Sequence, residues 1–67
     1  MSNIPEGWEY WATTDPGEDP WELAVELKQA RERLYPELFV RVRVIRVRTG
    51  PHRTAYLILR KEEKRQR

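Results

Sequence analysis

Valine and arginine alternate along one segment, and this alternation strongly limits what the chain can fold into. From Val40 to Val44, every second residue is valine and the residues between are arginine. Successive side chains of a β-strand point to opposite faces of a sheet, so this period of two predicts a strand with one apolar and one cationic face. We expect this strand to span residues 38–48.

A second strand is predicted directly after the first. The intervening segment 49–52 contains glycine and proline, and residues 53–60 then alternate again. Two such segments joined by a short turn are typical of an antiparallel hairpin. A four-residue turn would place Arg48 opposite Arg53 and Val44 opposite Leu57.

A helix is predicted between residues 20 and about 34. Asp19 can cap its start, Pro20 suits its first turn, and Pro36 ends it. Apolar residues recur at intervals of four, three and four positions, which is the spacing of one helix face. These residues are Leu23, Leu27, Ala30 and Leu34.

The aromatic segment 8–14 ends in two threonines and lies between turn signals, so it predicts a short first strand. The order strand, helix, strand, strand predicts an α+β fold, a small two-layer sandwich. One helix would pack on a three-stranded antiparallel sheet, or on a two-stranded hairpin alone if 8–14 packs as an irregular arm. Residues 1–60 would form one compact domain, and the charged segment 61–67 a disordered tail. One sheet face would have no helix to cover it.

Charge is divided between the two halves of the chain. Residues 1–37 contain nine acidic and three basic residues, a net charge of −6, whereas residues 38–67 contain ten basic and two acidic residues, a net charge of +8. Asymmetry of this kind indicates a charged partner. The cationic half is the predicted hairpin.

The uncovered face has two alternative compositions, because the alternation slips at Val44–Ile45. A β-bulge there would turn Arg46 and Arg48 onto the same face as the preceding arginines. Without a bulge, apolar residues would form a patch on this face, rimmed by arginines. The patch residues would be Ile45, Val47, Tyr56 and Ile58. Trp8 and Tyr10, or else Trp11, would join from the first strand.

We expect a small nucleic-acid-binding module, since arginines neutralise phosphates and aromatic rings stack on bases. A two-stranded ribbon also fits the major groove of a duplex. The partner would be DNA or RNA, and Tyr56 would be the stacking platform. The candidate binding residues are Arg41, Arg43, Arg46, Arg48, His52, Arg53, Tyr56 and Arg60.

A protein-interaction or regulatory module is the alternative function. The same residues would then bind an acidic protein surface, or the sheet would pair with a second copy to form a homodimer. The arginines could also be a solvated strand face, or pair with Glu9, Glu22 or Glu26 within the molecule. Core packing is the simplest role of the three tryptophans, with at most one exposed for binding.

The sequence contains no set of residues typical of a catalytic site or a metal site. The chain has no cysteine, and its one histidine, His52, lies in a predicted turn without a nucleophile beside it. We therefore expect no enzyme activity, no metal site and no cofactor. No apolar segment approaches the length of a membrane-spanning helix, and together with the lack of cysteine this predicts a cytoplasmic protein without membrane contact.

Overall fold

A computed structural model describes residues 4–65 and confirms the predicted α+β fold, one helix packed on a three-stranded antiparallel sheet. The elements in chain order are β1 (Glu9–Thr14), α1 (Pro20–Leu34), β2 (Leu38–Gly50) and β3 (Arg53–Lys64). The strand order in the sheet is β1-β3-β2, and β3 pairs in antiparallel fashion with both neighbours. Strands β1 and β2 are therefore parallel to each other, with α1 as the crossover between them.

The helix begins where the sequence predicts. The side chain of Asp19 accepts hydrogen bonds from the backbone N–H groups of Trp21 (3.0 Å) and Glu22 (3.3 Å), which have no partner inside the helix. At the other end, the N–H of Tyr35 donates to the carbonyl of Arg31 (3.0 Å). Pro36 follows and prevents a further turn.

The helix face that packs on the sheet differs from the predicted one. Ala24 is fully buried and Leu27 half-buried, but Ala30 is exposed and Leu34 retains 73% of its accessible surface. The prediction of Ala30 and Leu34 as core residues is therefore wrong. The helix packs chiefly on the edge strand β2, so the flank that carries Leu34 has no strand beneath its end.

The two sheet faces can be assigned from one contact. Arg31 of α1 hydrogen-bonds Glu62 of β3 (2.7 Å), and Glu62 lies opposite Val40 of β2. We call the side of the sheet that carries these two residues the helix face, and the other side the open face. The fully buried residues Val40 and Ile58 lie on the helix face, where they form the core with Ala24.

The hairpin has a different register from the expected one. Val44 lies opposite Ile58 instead of Leu57, because the turn consists of Pro51 and His52 alone and the pairing shifts by one residue between Arg48 and Gly50. A shift of one residue moves every side chain of one strand to the opposite face relative to its partner. Tyr56 and Arg60 are therefore on the helix face, not on the open face.

Strand β3 continues beyond its predicted end. Its pairing with β2 runs from Arg53 to Lys64, so Lys61–Lys64 are strand residues and not the start of a disordered tail. The ion pair between Glu62 and Arg31 accounts for the longer strand, because it holds part of the predicted tail against the helix. The rest of the predicted tail beyond Arg65 lies outside the described residues. None of the helices in residues 4–65 has the length and hydrophobicity that a membrane crossing requires.

Candidate nucleic-acid interface

The arginines of β2 are divided between the two faces of the sheet. The pairing of β2 with β3 is continuous through Val44–Ile45, so the alternative with a bulge at this position is excluded. Strict alternation then places Arg41 and Arg43 on the open face and Arg46 and Arg48 on the helix face. The single arginine face that a bulge would have produced does not form.

The end of the hairpin projects beyond the helix. Glu32 of α1 lies beside Val40, to whose backbone N–H it is hydrogen-bonded. The helix begins twelve residues before Glu32, a distance of about 18 Å, which corresponds to about five strand residues beyond Val40. The part of β2 and β3 from Arg46 to Tyr56, which we call the distal hairpin, therefore extends past the start of α1.

Two arginines near the helix are neutralised within the molecule. Arg31 hydrogen-bonds Glu62, and this guanidinium lowers the pKa of the Glu62 carboxyl. Arg60 lies 3.4 Å from both Glu62 and Glu9, and its guanidinium stacks 5.2 Å from the ring centroid of Trp11. These contacts hold the Arg60 guanidinium within the fold, so this predicted binding residue lies apart from the arginines that have no carboxylate partner.

The two arginines of the open face lie against aromatic rings. Arg41 is 3.8 Å from Glu63 and 5.7 Å from the ring centroid of Phe39. Arg43 lies 5.9 Å from the ring centroid of Trp8 and has no carboxylate within 4.0 Å among residues 4–65. Arginine thus already covers two rings that could otherwise stack on bases.

The distal hairpin carries cations that the described chain leaves unneutralised. Among residues 4–65, no carboxylate lies within 4.0 Å of its three arginines, and the segment itself contains no acidic residue. Its arginines are Arg46, Arg48 and Arg53. The turn residue His52 is exposed beside them. One acidic residue, Asp15, lines the same surface depression as His52 and Arg53 but forms no ion pair with them within 4.0 Å.

Tyr56 belongs to the distal hairpin but not to the open face. It lies directly opposite Arg46 on β2 and Thr14 on β1, and it is half-buried. The predicted stacking platform therefore stands beside the unneutralised Arg46, on the helix face and beyond the helix end.

The open face carries aromatic residues from the N-terminal segment. Trp8 reaches Arg43 across β3, and the exposed Tyr10 shares a 2.6 Å hydrogen bond with Thr13. Leu59 lies between Tyr10 and Arg43 in the sheet and is fully buried, although no helix covers this face. The Trp8 segment therefore closes over part of the open face. Trp11 occupies the register shift between Tyr10 and Ala12 and lies against Arg60 of the helix face, so Trp8 and Tyr10, and not Trp11, join the open face.

Comparison with protein-family models, curated proteins and solved structures gives no match to this chain. Residues 4–65 contain no cluster of three or more histidine, aspartate or glutamate side chains arranged to hold a metal ion. What the distal hairpin offers is a set of guanidinium donors, which suit phosphate or carboxylate oxygens.

Proposed function

We propose that the chain binds nucleic acid through the distal hairpin. The observation that carries this proposal is the contrast between two sets of arginines. Arg31, Arg41 and Arg60 are paired with carboxylates, whereas the three arginines of the distal hairpin are not. Phosphate contacts by arginine supply most of the affinity of such binding and need no particular sequence.

A duplex is the form of nucleic acid that this arrangement favours. Binding of single strands relies on aromatic rings interleaved with cations on one surface. Here Arg46 and Arg48 are on the helix face, away from the exposed Tyr10, and the open-face arginines already cover the rings of Trp8 and Phe39. A projecting two-stranded ribbon with arginines instead fits the dimensions of the major groove.

Fluorescence anisotropy with labelled duplex DNA, single-stranded DNA and RNA tests this proposal. We expect the duplex to bind at about 50 mM salt, with a slope of log affinity against log salt near −3 for three phosphate contacts. The double variant Arg46→Gln/Arg48→Gln should weaken binding and reduce the slope by about 2. Absence of binding to all three oligonucleotides at that salt concentration would reject the proposal.

A matched control comes from the helix. Arg33 is exposed on the outer side of α1 and has no carboxylate within 4.0 Å among residues 4–65. Arg33→Gln changes the net charge without touching the hairpin. This control removes one positive charge and should retain the wild-type affinity to within about twofold. If each charge removed from the hairpin costs no more affinity than the charge removed at Arg33, the loss reflects a general charge effect only.

A second candidate function is binding of a partner protein. Trp21 retains 54% of its accessible surface, although it stands on the first turn of a helix that packs on the sheet. Exposed tryptophans are over-represented among the residues that dominate protein interfaces. Trp21 belongs to α1 and not to the distal hairpin, so substitutions in one element can be tested without changing the other.

A further inference from the structure

The outer edge of β2 has backbone groups that face away from the sheet. Arg65 N–H donates to the carbonyl of Glu37 (2.8 Å), so the odd-numbered residues of β2 bond to β3. The even-numbered residues then point outward, and Val40 N–H indeed donates to Glu32 (2.9 Å). The N–H and carbonyl groups of the next outward residues, Val42 and Val44, have no hydrogen-bond partner among residues 4–65.

One flank of α1 runs along this edge. Residues 21, 25, 28 and 32 follow one another at helical spacing and form one stripe. Two of them touch β2: Lys28 Nζ is 4.7 Å from the ring centroid of Phe39, and Glu32 binds Val40. The other two, Trp21 and Val25, stand about 10–17 Å further along the helix, which places them level with Arg43–Ile45.

Exposure of Trp21 and Val25 sets this stripe apart from an ordinary polar helix flank. Trp21 retains 54% and Val25 43% of its accessible surface. An unpaired strand edge beside an apolar helix flank is the arrangement in which an extended peptide adds a strand to a sheet. The edge supplies main-chain hydrogen bonds, and the flank supplies a surface for every second side chain.

Charge identifies the occupant of this groove. Side chains of an added strand alternate, so one set would meet Trp21 and Val25 on the helix face and the other would lie beside Arg41 and Arg43 on the open face. We infer that the groove between β2 and α1 binds an extended segment of a partner protein in which apolar and acidic residues alternate. Glu32 closes the groove at Val40, so the site begins at Val42.

A second copy of this chain fits the groove poorly. If β2 paired with its own copy, arginines of the two strands would lie together on each face, and like charges in neighbouring positions are destabilising. Cationic side chains on an edge strand are a recognised protection against such self-pairing. An acidic peptide removes this repulsion.

Titration with short peptides, followed by the NMR shifts of the Val42 and Val44 amides, tests the inference. The probe is a peptide in which valine and glutamate alternate, and the control is its valine–lysine counterpart. We expect the glutamate peptide to shift both amides at about 1 mM or below and the lysine peptide to leave them unchanged. No shift with the glutamate peptide at that concentration would overturn the inference.

Methylated peptides show whether the backbone edge is used. Antiparallel addition turns the valine amides toward β2, and parallel addition turns the glutamate amides toward it. N-methylation of one set should abolish binding, while N-methylation of the other set should be tolerated. Equal effects of the two modifications would contradict strand addition.

Two substitutions separate this site from the rest of the molecule. Trp21→Ala should weaken peptide binding by about tenfold or more, whereas Leu34→Ala, which removes an exposed apolar side chain from the opposite flank of α1, should change it less than about twofold. Arg43→Glu should shift preference toward the lysine peptide. If light scattering instead shows a dimer that Trp21→Ala disrupts, the groove holds a second copy and the inference is wrong. Duplex binding by the distal hairpin should be unaffected by Trp21→Ala, so the two proposals can fail independently.

Discussion

Glu32 accepts a hydrogen bond from the backbone N–H of Val40 at 2.9 Å, so a helix side chain satisfies an edge group of the sheet. The same carboxylate is 2.7 Å from Lys28 Nζ and 3.9 Å from the guanidinium of Arg65. The hydrogen bond from Lys28, followed by the one from Val40, lowers the pKa of Glu32 below its ordinary value of 4.5. Glu32 thus joins α1 to β2 and to Arg65 just after β3, at the end of the β2–β3 pairing away from the turn, with one ionised group.

Removal of the Glu32 side chain is expected to destabilise the fold. Glu32→Ala leaves the Val40 N–H without its partner and should lower the free energy of unfolding by about 1–2 kcal/mol. Glu32→Gln keeps an acceptor for Val40 and loses only the ion pairs, so it should cost less than about 1 kcal/mol. Urea titration followed by circular dichroism measures both, and equal losses would show that the hydrogen bond to Val40 contributes nothing.

Stability should decrease in acid because of Glu32 and Glu62. Both carboxyls have a folded-state pKa below the ordinary value of 4.5, Glu62 chiefly because Arg31 hydrogen-bonds it. At a pH between the folded-state pKa and the unfolded-state pKa of about 4.5, the unfolded chain binds more protons than the folded one. The stabilisation from these two carboxylates is therefore complete above about pH 4.5 and is lost as the pH falls through the folded-state pKa. Urea midpoints measured from neutral pH down to about pH 3 should follow this course.

The variants that test this acid dependence differ in one carboxylate each. Glu62→Gln should be less stable at neutral pH and should lose less stability on acidification than the wild type. Glu26, exposed and without a cation within 4.0 Å among residues 4–65, provides the control. Glu26→Gln should keep the wild-type pH dependence, and a flattened curve for this control would contradict the assignment to Glu62.

The helix itself could be predicted from its cap and its periodicity, but its orientation could not. Leucines at 23, 27 and 34 define an apolar stripe, and burial of that stripe is the simplest arrangement. The sheet instead meets a face centred on Ala24, because Arg31 and Glu32 bind partners on β3 and β2. Those polar contacts depend on the position of distant strands, which helical periodicity does not report.

Leu59 and Leu34 should differ sharply in their contribution to stability. Leu59 lies between Tyr10 and Arg43 in the sheet and is fully buried, whereas Leu34 is 73% exposed. Leu59→Ala should lower the free energy of unfolding by about 2–4 kcal/mol through lost burial and a new cavity. Leu34→Ala should change it by less than about 0.5 kcal/mol. Urea titrations of the two variants measure this difference. Similar losses in the free energy of unfolding would mean that the predicted leucine stripe is the true core.

The candidate residues could be found from the sequence, but their distribution over the two faces could not. Cationic residues in an alternating hairpin are visible directly, and six of the eight remain on accessible parts of the sheet or turn: Arg41, Arg43, Arg46, Arg48, His52 and Arg53. The face of each β3 side chain depends on the register. The register in turn depends on one extra residue between Arg48 and Gly50, a local irregularity that leaves no mark in the hydrophobic pattern.

Engineered disulfides should report this register directly, because the chain contains no cysteine of its own. Arg48 and Thr54 lie opposite each other and share the helix face, so Arg48→Cys with Thr54→Cys should form a disulfide on oxidation. Arg53 lies opposite Gly50 and on the other face from Arg48. Arg48→Cys with Arg53→Cys, the pair expected for a four-residue turn, should therefore stay reduced under the same conditions, since its Cβ vectors point apart. Free-thiol titration and mass spectrometry after mild oxidation show which of the two double variants forms a disulfide. A disulfide in the Arg48→Cys/Arg53→Cys variant alone would support the register predicted from the sequence, which places Tyr56 on the open face.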